Sequence, residues 1–262
     1  MSEYPESRIQ DLLTRRNIDW STVVRIAEVG STAHGISTPD TDDDFDCTVV
    51  RVESFTELVV GNPNRQSMMI RTQPDGIRSR MGDIDLQAYT LRKFASLAAK
   101  GNPSILAAIF SQGIHRDTGV DFDKLGRMVA SRRAGSAFLG YMNQQLERWQ
   151  GLRGQKNVKR PELVDAYGFD TKYAAHVIRL GSQGIEYMQN GRFAMPLLPP
   201  LAEDIVALRM GQISEENALA WAFDVERELL SAVNASKLPE QPASESINAW
   251  LVDQYGGRPY AT

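Results

Sequence analysis

Cysteine is nearly absent from this sequence: Cys47 alone serves 262 positions. No internal disulfide can form, so the fold must rest on its core, which suits a reducing compartment. Cys47 lies in an apolar run and reads as a small buried hydrophobe rather than a nucleophile. Long apolar runs are missing as well. No stretch approaches the ~18 consecutive apolar residues of a membrane span, and Met1-Ser2-Glu3-Tyr4-Pro5-Glu6 lacks a basic-then-apolar leader. A cytoplasmic protein without a membrane partner is expected. Positive charge is not in excess either: 29 Lys and Arg against 33 Asp and Glu leave −4, which excludes a protein that coats nucleic acid non-specifically. What is present, 42% hydrophobic and 24% charged residues, is a globular composition with room for one large domain or two modest ones.

The chain is organised around Gly30-Ser31-Thr32-Ala33-His34-Gly35 and the acidic run Asp42-Asp43-Asp44-Phe45-Asp46 that follows. Residues 23–29 alternate apolar and polar and predict a strand before the glycine turn; residues 45–52 predict another after the acidic run. Gly30 and Gly35 permit a tight turn in which backbone N–H groups and the Ser31 hydroxyl approach phosphate oxygens. Asp42 and Asp44, two residues apart, project from one face and can hold hard cations. Asp44 and Asp46 offer a second pair at the same spacing, although the distance from Gly30 favours the first. A calcium loop starting at Asp40 fails, because Phe45 stands where that loop needs glycine and Arg51 where it needs a bidentate glutamate.

Further along, residues 83–90 alternate as a strand, with Asp83, Asp85 and Gln87 on one face. A third carboxylate is thereby available. Helical spacing appears at residues 7–16, 91–100, 104–112, 123–131, 136–150, 172–190 and 214–235, residues 66–71 suit a strand, and residues 55–60 are ambiguous. In the last helix Leu219, Ala220, Phe223 and Leu230 are expected to face inward. Asn102, before Pro103, is a helix cap. Residues 148–179 carry seven Lys and Arg against three carboxylates, a local basic region within an acidic chain. Within it Lys172, His176 and Arg179 fall on one helical stripe. On periodicity alone that stripe is a solvated face. Three basic groups in line also suit a triphosphate.

The run G-S-T-A-H-G-I-S-T-P-D-T-D-D-D-F resembles the signature of DNA polymerase beta superfamily nucleotidyltransferases, and more closely their RNA-repair-pathway, RNA-ligase-associated branch, which carries G-S-x-A-x-G, a T-P turn and S-D-x-D-F. Residues 85–103 and Gly168-Phe169-Asp170-Thr171-Lys172-Tyr173-Ala174-Ala175-His176-Val177-Ile178-Arg179-Leu180 resemble two further segments of that branch. One departure is Asp46-Cys47, where the branch commonly has Arg-Gly.

The resemblance implies an α/β (α+β) nucleotidyltransferase fold: a catalytic domain with a small mixed sheet at residues 1–116, a helical domain at 117–238 and a tail at 239–262. It implies transfer of NMP from an NTP such as ATP to an acceptor hydroxyl, with an RNA end as acceptor and two Mg²⁺, or Mn²⁺, as cofactors. Asp42, Asp44 and Asp85 would be the catalytic metal ligands; Gly30, Ser31, Lys172, His176 and Arg179 would hold the triphosphate. Transfer to a protein or small molecule, and a non-catalytic nucleotide-binding module, are the alternatives.

Overall fold

Alternating side chains build four strands, β1 (Val23–Glu28), β2 (Phe45–Arg51), β3 (Ser67–Arg71) and β4 (Ile84–Thr90). In the computed structural model, which describes residues 5–39, 44–61, 65–111, 119–151 and 160–256, they form one mixed sheet of order β1-β2-β4-β3. β2 runs parallel to β4, and the outer pairs are antiparallel. One sheet face, with Ile26, Cys47, Val49, Ile70 and Leu86, is covered by helix α1 (Glu6–Thr14) through Ile9, Leu12 and Leu13. On the opposite face Ala27 and Val50 enter a larger core beneath the remaining helices. Towards the start of β2 that same face turns polar, because the register sets Asp46 beside Asp85 and Thr48 beside Gln87. The polar end of the sheet is where the two sequence signatures meet.

Helix α2 (Gly30–Ala33) is a single turn where the sequence suggests a glycine turn. The ambiguous stretch at 55–60 is helix α3 (Phe55–Val60), decided by a capping box in which the Ser54 hydroxyl accepts from the Glu57 N–H and the Glu57 carboxylate accepts from the Ser54 N–H. Helices α4 (Leu91–Ala99) and α5 (Pro103–Phe110) break at Asn102, whose side chain accepts from the Ser104 and Ile105 N–H groups as a cap. At the other end of α5 lies a buried cation. Arg25 of β1 donates to the carbonyls of Ala108, Ile109 and Ser111 at 2.8–3.1 Å and stacks on Phe122. The guanidinium thereby satisfies carbonyls that a helix end leaves without partners.

The chain continues with α6 (Phe122–Val129), α7 (Arg133–Trp149), α8 (Pro161–Tyr167), α9 (Thr171–Asn190), α10 (Leu201–Arg209), α11 (Glu215–Ala235) and α12 (Ser244–Gly256). The tail docks through Ile247 and Trp250, the indole meeting Phe122 edge-on. The inward face of α11 differs from the expectation. Ala218, Ala222, Val225 and Leu229 are buried, whereas Phe223 and Leu230 are about half exposed at 49% and 47% and Ala220 is exposed. Glycines of α9 select the inward face: a Cβ on Gly181 would lie 2.2 Å from Val225 Cγ1 and one on Gly184 would lie 3.0 Å from Leu229 Cδ1, so Val225 and Leu229 fill the space that the two glycines leave. The expected boundary at residues 116 and 117 lies outside the described residues.

Candidate active site

The first signature is folded directly onto the start of β2. Gly30 has φ +80°, and a Cβ placed there would meet Asp46 Oδ2 at 2.5 Å, so the position admits only glycine. The Val29 N–H donates to the Asp46 carbonyl at 2.9 Å, tying the same two segments through their backbones. Carboxylate oxygens of Asp44, Asp46 and Asp85 lie within 4.8 Å of one another. Asp42, the other expected ligand, lies outside the described residues. Of the two candidates on β4, Asp85 joins the cluster. Asp83 instead pins the preceding loop, accepting from Thr72, Gln73 and the Arg80 N–H.

Electrostatics in this cluster are governed by crowding. Burial pushes the Asp46 carboxyl up to about 7, and the neighbouring Asp44 and Asp85 push it the same way, against a pull from Lys172 and Arg71. Asp85 is held by Arg71, whose Nε donates to both carboxylate oxygens at 3.0 and 3.1 Å, and by the Ser79 hydroxyl at 2.9 Å. Neither partner carries a periodic or motif signal in the sequence.

The second signature divides its work. Gly168, at φ +85°, closes α8; Phe169 stacks on Trp149; and Asp170 caps α9, accepting from the Lys172 and Tyr173 N–H groups while pairing with Arg160 at 2.9 Å. These three shape the start of the helix. Lys172, His176 and Arg179 then line a cavity of about 430 Å³, together with Gly30, Ser31, Asp44, Asp46 and Arg209. The stripe that periodicity alone assigns to solvent therefore faces a cleft opposite the carboxylates.

Around His176 cations accumulate. Burial lowers its pKa well below the usual value, and Arg179, Lys172, Arg160 and Arg209 add to the shift, so the imidazole is neutral at physiological pH. Arg179 is lowered by burial to about 10 and stays charged. Its Nη1 lies 2.8 Å from Gln183 Oε1 and 3.2 Å from His34 Nε2, and the Gln183 amide nitrogen lies 3.2 Å from His34 Nδ1. His34 belongs to the first signature and Arg179 to the second, so this triangle joins them. Burial, then Arg179 and His176, hold the His34 pKa well below its ordinary value. Sequence reading finds neither role; the only available hint is that Gln183 follows Arg179 by one helical turn. Arg209 enters the wall from the end of α10, at Leu208-Arg209-Met210-Gly211, a stretch that the family resemblance reaches without giving it a role.

A carboxylate cluster at one end of the two central strands, facing a cation-lined helix across one cleft, is the layout of a polymerase-beta-type nucleotidyltransferase. The chain belongs to the RNA repair pathway DNA polymerase beta family (RlaP), whose model matches residues 6–253. No protein of curated function matches it. It is similar to a nucleotidyltransferase-like protein from Exiguobacterium sibiricum 255-15, known from a crystal structure, at 12% identity and a TM-score of 0.31, over 97% of this chain and 80% of that one. No helix among the described residues is long and apolar enough to cross a membrane.

Proposed function

We infer that the protein transfers NMP from an NTP, ATP included, to a hydroxyl at an RNA end, releasing pyrophosphate, and that it does so in the cytoplasm. The observation that carries this reading is the two-signed cavity, with Asp44 and Asp46 on one wall and Lys172, Arg179 and Arg209 on the other. A triphosphate with metal ions at its α-phosphate needs both signs at that spacing. The RNA acceptor draws its support from the family description.

The donor set suits hard cations. Burial, with the neighbouring Asp44 and Asp85, lifts Asp46 to about 7; a divalent ion relieves that crowding, and all-oxygen ligands fit Mg²⁺ or Mn²⁺. Asp42, Asp44 and Asp85 are the proposed ligands of two ions, and Asp46 stands within the same cluster. When bound, such ions stabilise charge on the phosphates and lower the pKa of the attacking hydroxyl. The chain's own part is positional. Gly30 brings backbone N–H groups against the phosphates, and Ser31 adds its hydroxyl. Lys172 and Arg179 balance the charge of the departing pyrophosphate, and neutral His176 serves as a hydrogen-bond donor beside them.

The test is label transfer from each α-labelled NTP, with Mg²⁺ or Mn²⁺, into RNA, DNA and protein acceptors. Label in RNA with the native chain, and none with Asp44→Asn, is expected. Label in protein alone would replace the acceptor, and no transfer to any acceptor despite NTP binding would overturn the reading.

A further inference from the structure

Arg71, which grips Asp85, also lines an open groove of about 500 Å³. Arg16 from the segment following α1, Met69 and Arg71 of β3, and the turn at residues 72–75 line it. Met69 also lines the nucleotide cavity, so the two spaces adjoin. Arg71 directs Nε to Asp85 and Nη2 to the Ile77 carbonyl and Ser79 hydroxyl, which leaves Nη1 without a partner among the described residues. Arg71 therefore links the lining of the groove to the third carboxylate. Nothing in the handling of a triphosphate uses this space.

Its chemistry is that of a phosphate-chain surface. β3 is an edge strand, so one side of its backbone carries no strand partner. Met69 is 59% exposed, and Arg16 is exposed and makes no ion pair among the described residues. Residues 65–80 contain Arg65, Arg71, Arg78 and Arg80 against the single acid Asp75, although the whole chain is at −4; of these arginines Arg71 lines the groove, while Arg65 pairs with Glu57 and Arg78 with Glu162. All four cations are arginine, the side chain whose fork matches phosphate oxygens.

We propose that this groove is the track by which a single-stranded polynucleotide brings its terminal hydroxyl to Asp85. Its phosphates lie against Arg16, the Nη1 of Arg71 and the β3 edge, and a base rests on Met69. Asp75 at the rim keeps the strand from crossing the turn. A single strand suits the site because a terminal nucleotide must leave its stack to reach the floor of a cleft. The proposal rests on the transferase reading, with Asp85 on the acceptor side.

The experiment measures two affinities on the full chain: fluorescence anisotropy with short labelled single-stranded RNA and DNA, and Mg·ATP binding by thermal shift. Arg16→Glu and Met69→Ala are compared with Arg227→Glu, an exposed substitution on α11. Expected is a rise of about tenfold in the oligonucleotide Kd for Arg16→Glu, with a salt slope shallower by about 1 and an unchanged ATP shift, and a smaller rise for Met69→Ala. Unchanged oligonucleotide affinity in both groove variants would overturn the proposal. So would a native chain that binds ATP but neither oligonucleotide, an outcome that leaves the transferase reading standing with another acceptor. Binding of neither ligand would strike both. A change of sedimentation coefficient confined to the groove variants would make this face a contact between copies of the chain, and the track would fall.

Discussion

Gly30 and Asp46 stand so close that a single methyl group on the glycine would sit 2.5 Å from a carboxylate oxygen. The glycine turn and the acidic cluster are therefore one object. Gly30→Ala forces a residue with a Cβ into a left-handed conformation and displaces Asp46 at the same time. A stability loss of about 1–2 kcal/mol is expected, or roughly 2–4 °C in Tm, alongside a fall in NMP transfer of about a hundredfold. Calorimetry and label transfer on the same preparation read the two effects separately.

Asp46→Asn removes one of three crowded carboxylates. At pH 8 the metal-free variant should melt higher than the native chain, because burial and its acidic neighbours disfavour the charged form. Mn²⁺ should then raise the native Tm by more than that of the variant. An equal response in both would exclude Asp46 from the cation site and leave Asp42, Asp44 and Asp85.

His34 is neutral in the folded chain and ordinary in the unfolded one. Its folded pKa lies below the unfolded value of about 6.5, so the unfolded chain binds more protons as pH falls through that value, and stability declines on the acidic side. Above about pH 6.5 the contribution is constant. His34→Asn should flatten the stability profile between pH 5 and about 6.5, as followed by urea unfolding. Because His34 also contacts Arg179, the variant should weaken NTP binding as well.

Gly181→Ala should destabilise by about 1–3 kcal/mol, since its methyl would fall 2.2 Å from Val225. Val225→Ala alone opens space and costs about 1 kcal/mol. Combined, the two changes should cost less than their sum, and a double-mutant cycle measures the difference. Additive losses would mean that α9 and α11 shift apart rather than repack.

Much of this arrangement was legible in the sequence, and the parts that were not share a cause. Alternation located β1, β2 and β4 because each buries one face, and Gly30-Ser31 with the aspartates marked the polar end of the sheet. Lys172, His176 and Arg179 were identified through the family resemblance, since a cationic stripe facing a cleft has the same period as one facing water. Asp46 was legible only as an alternative. Its inclusion depends on the register that sets it beside Asp85, a long-range pairing that local sequence does not encode. Arg71, Arg209 and Gln183 act across 14, 173 and 149 residues respectively, and no local pattern gives them these partners. The buried stripe of α11 was misread for a similar reason: the two glycines that bring α9 close lie on a different helix.

Helix α5 has one end at the cavity and the other on Arg25. Ser104 and Ile105 at its start line the cavity, while its final carbonyls are taken up by the buried guanidinium about 12 Å away. A helix carries opposite partial charges at its ends, and Arg25 neutralises the negative one inside the protein. At the positive end Asn102 takes up the Ser104 and Ile105 N–H groups without bringing a charge, so the partial positive charge of the helix persists beside the cavity. A residue that never touches the ligand thus sharpens the potential that attracts it.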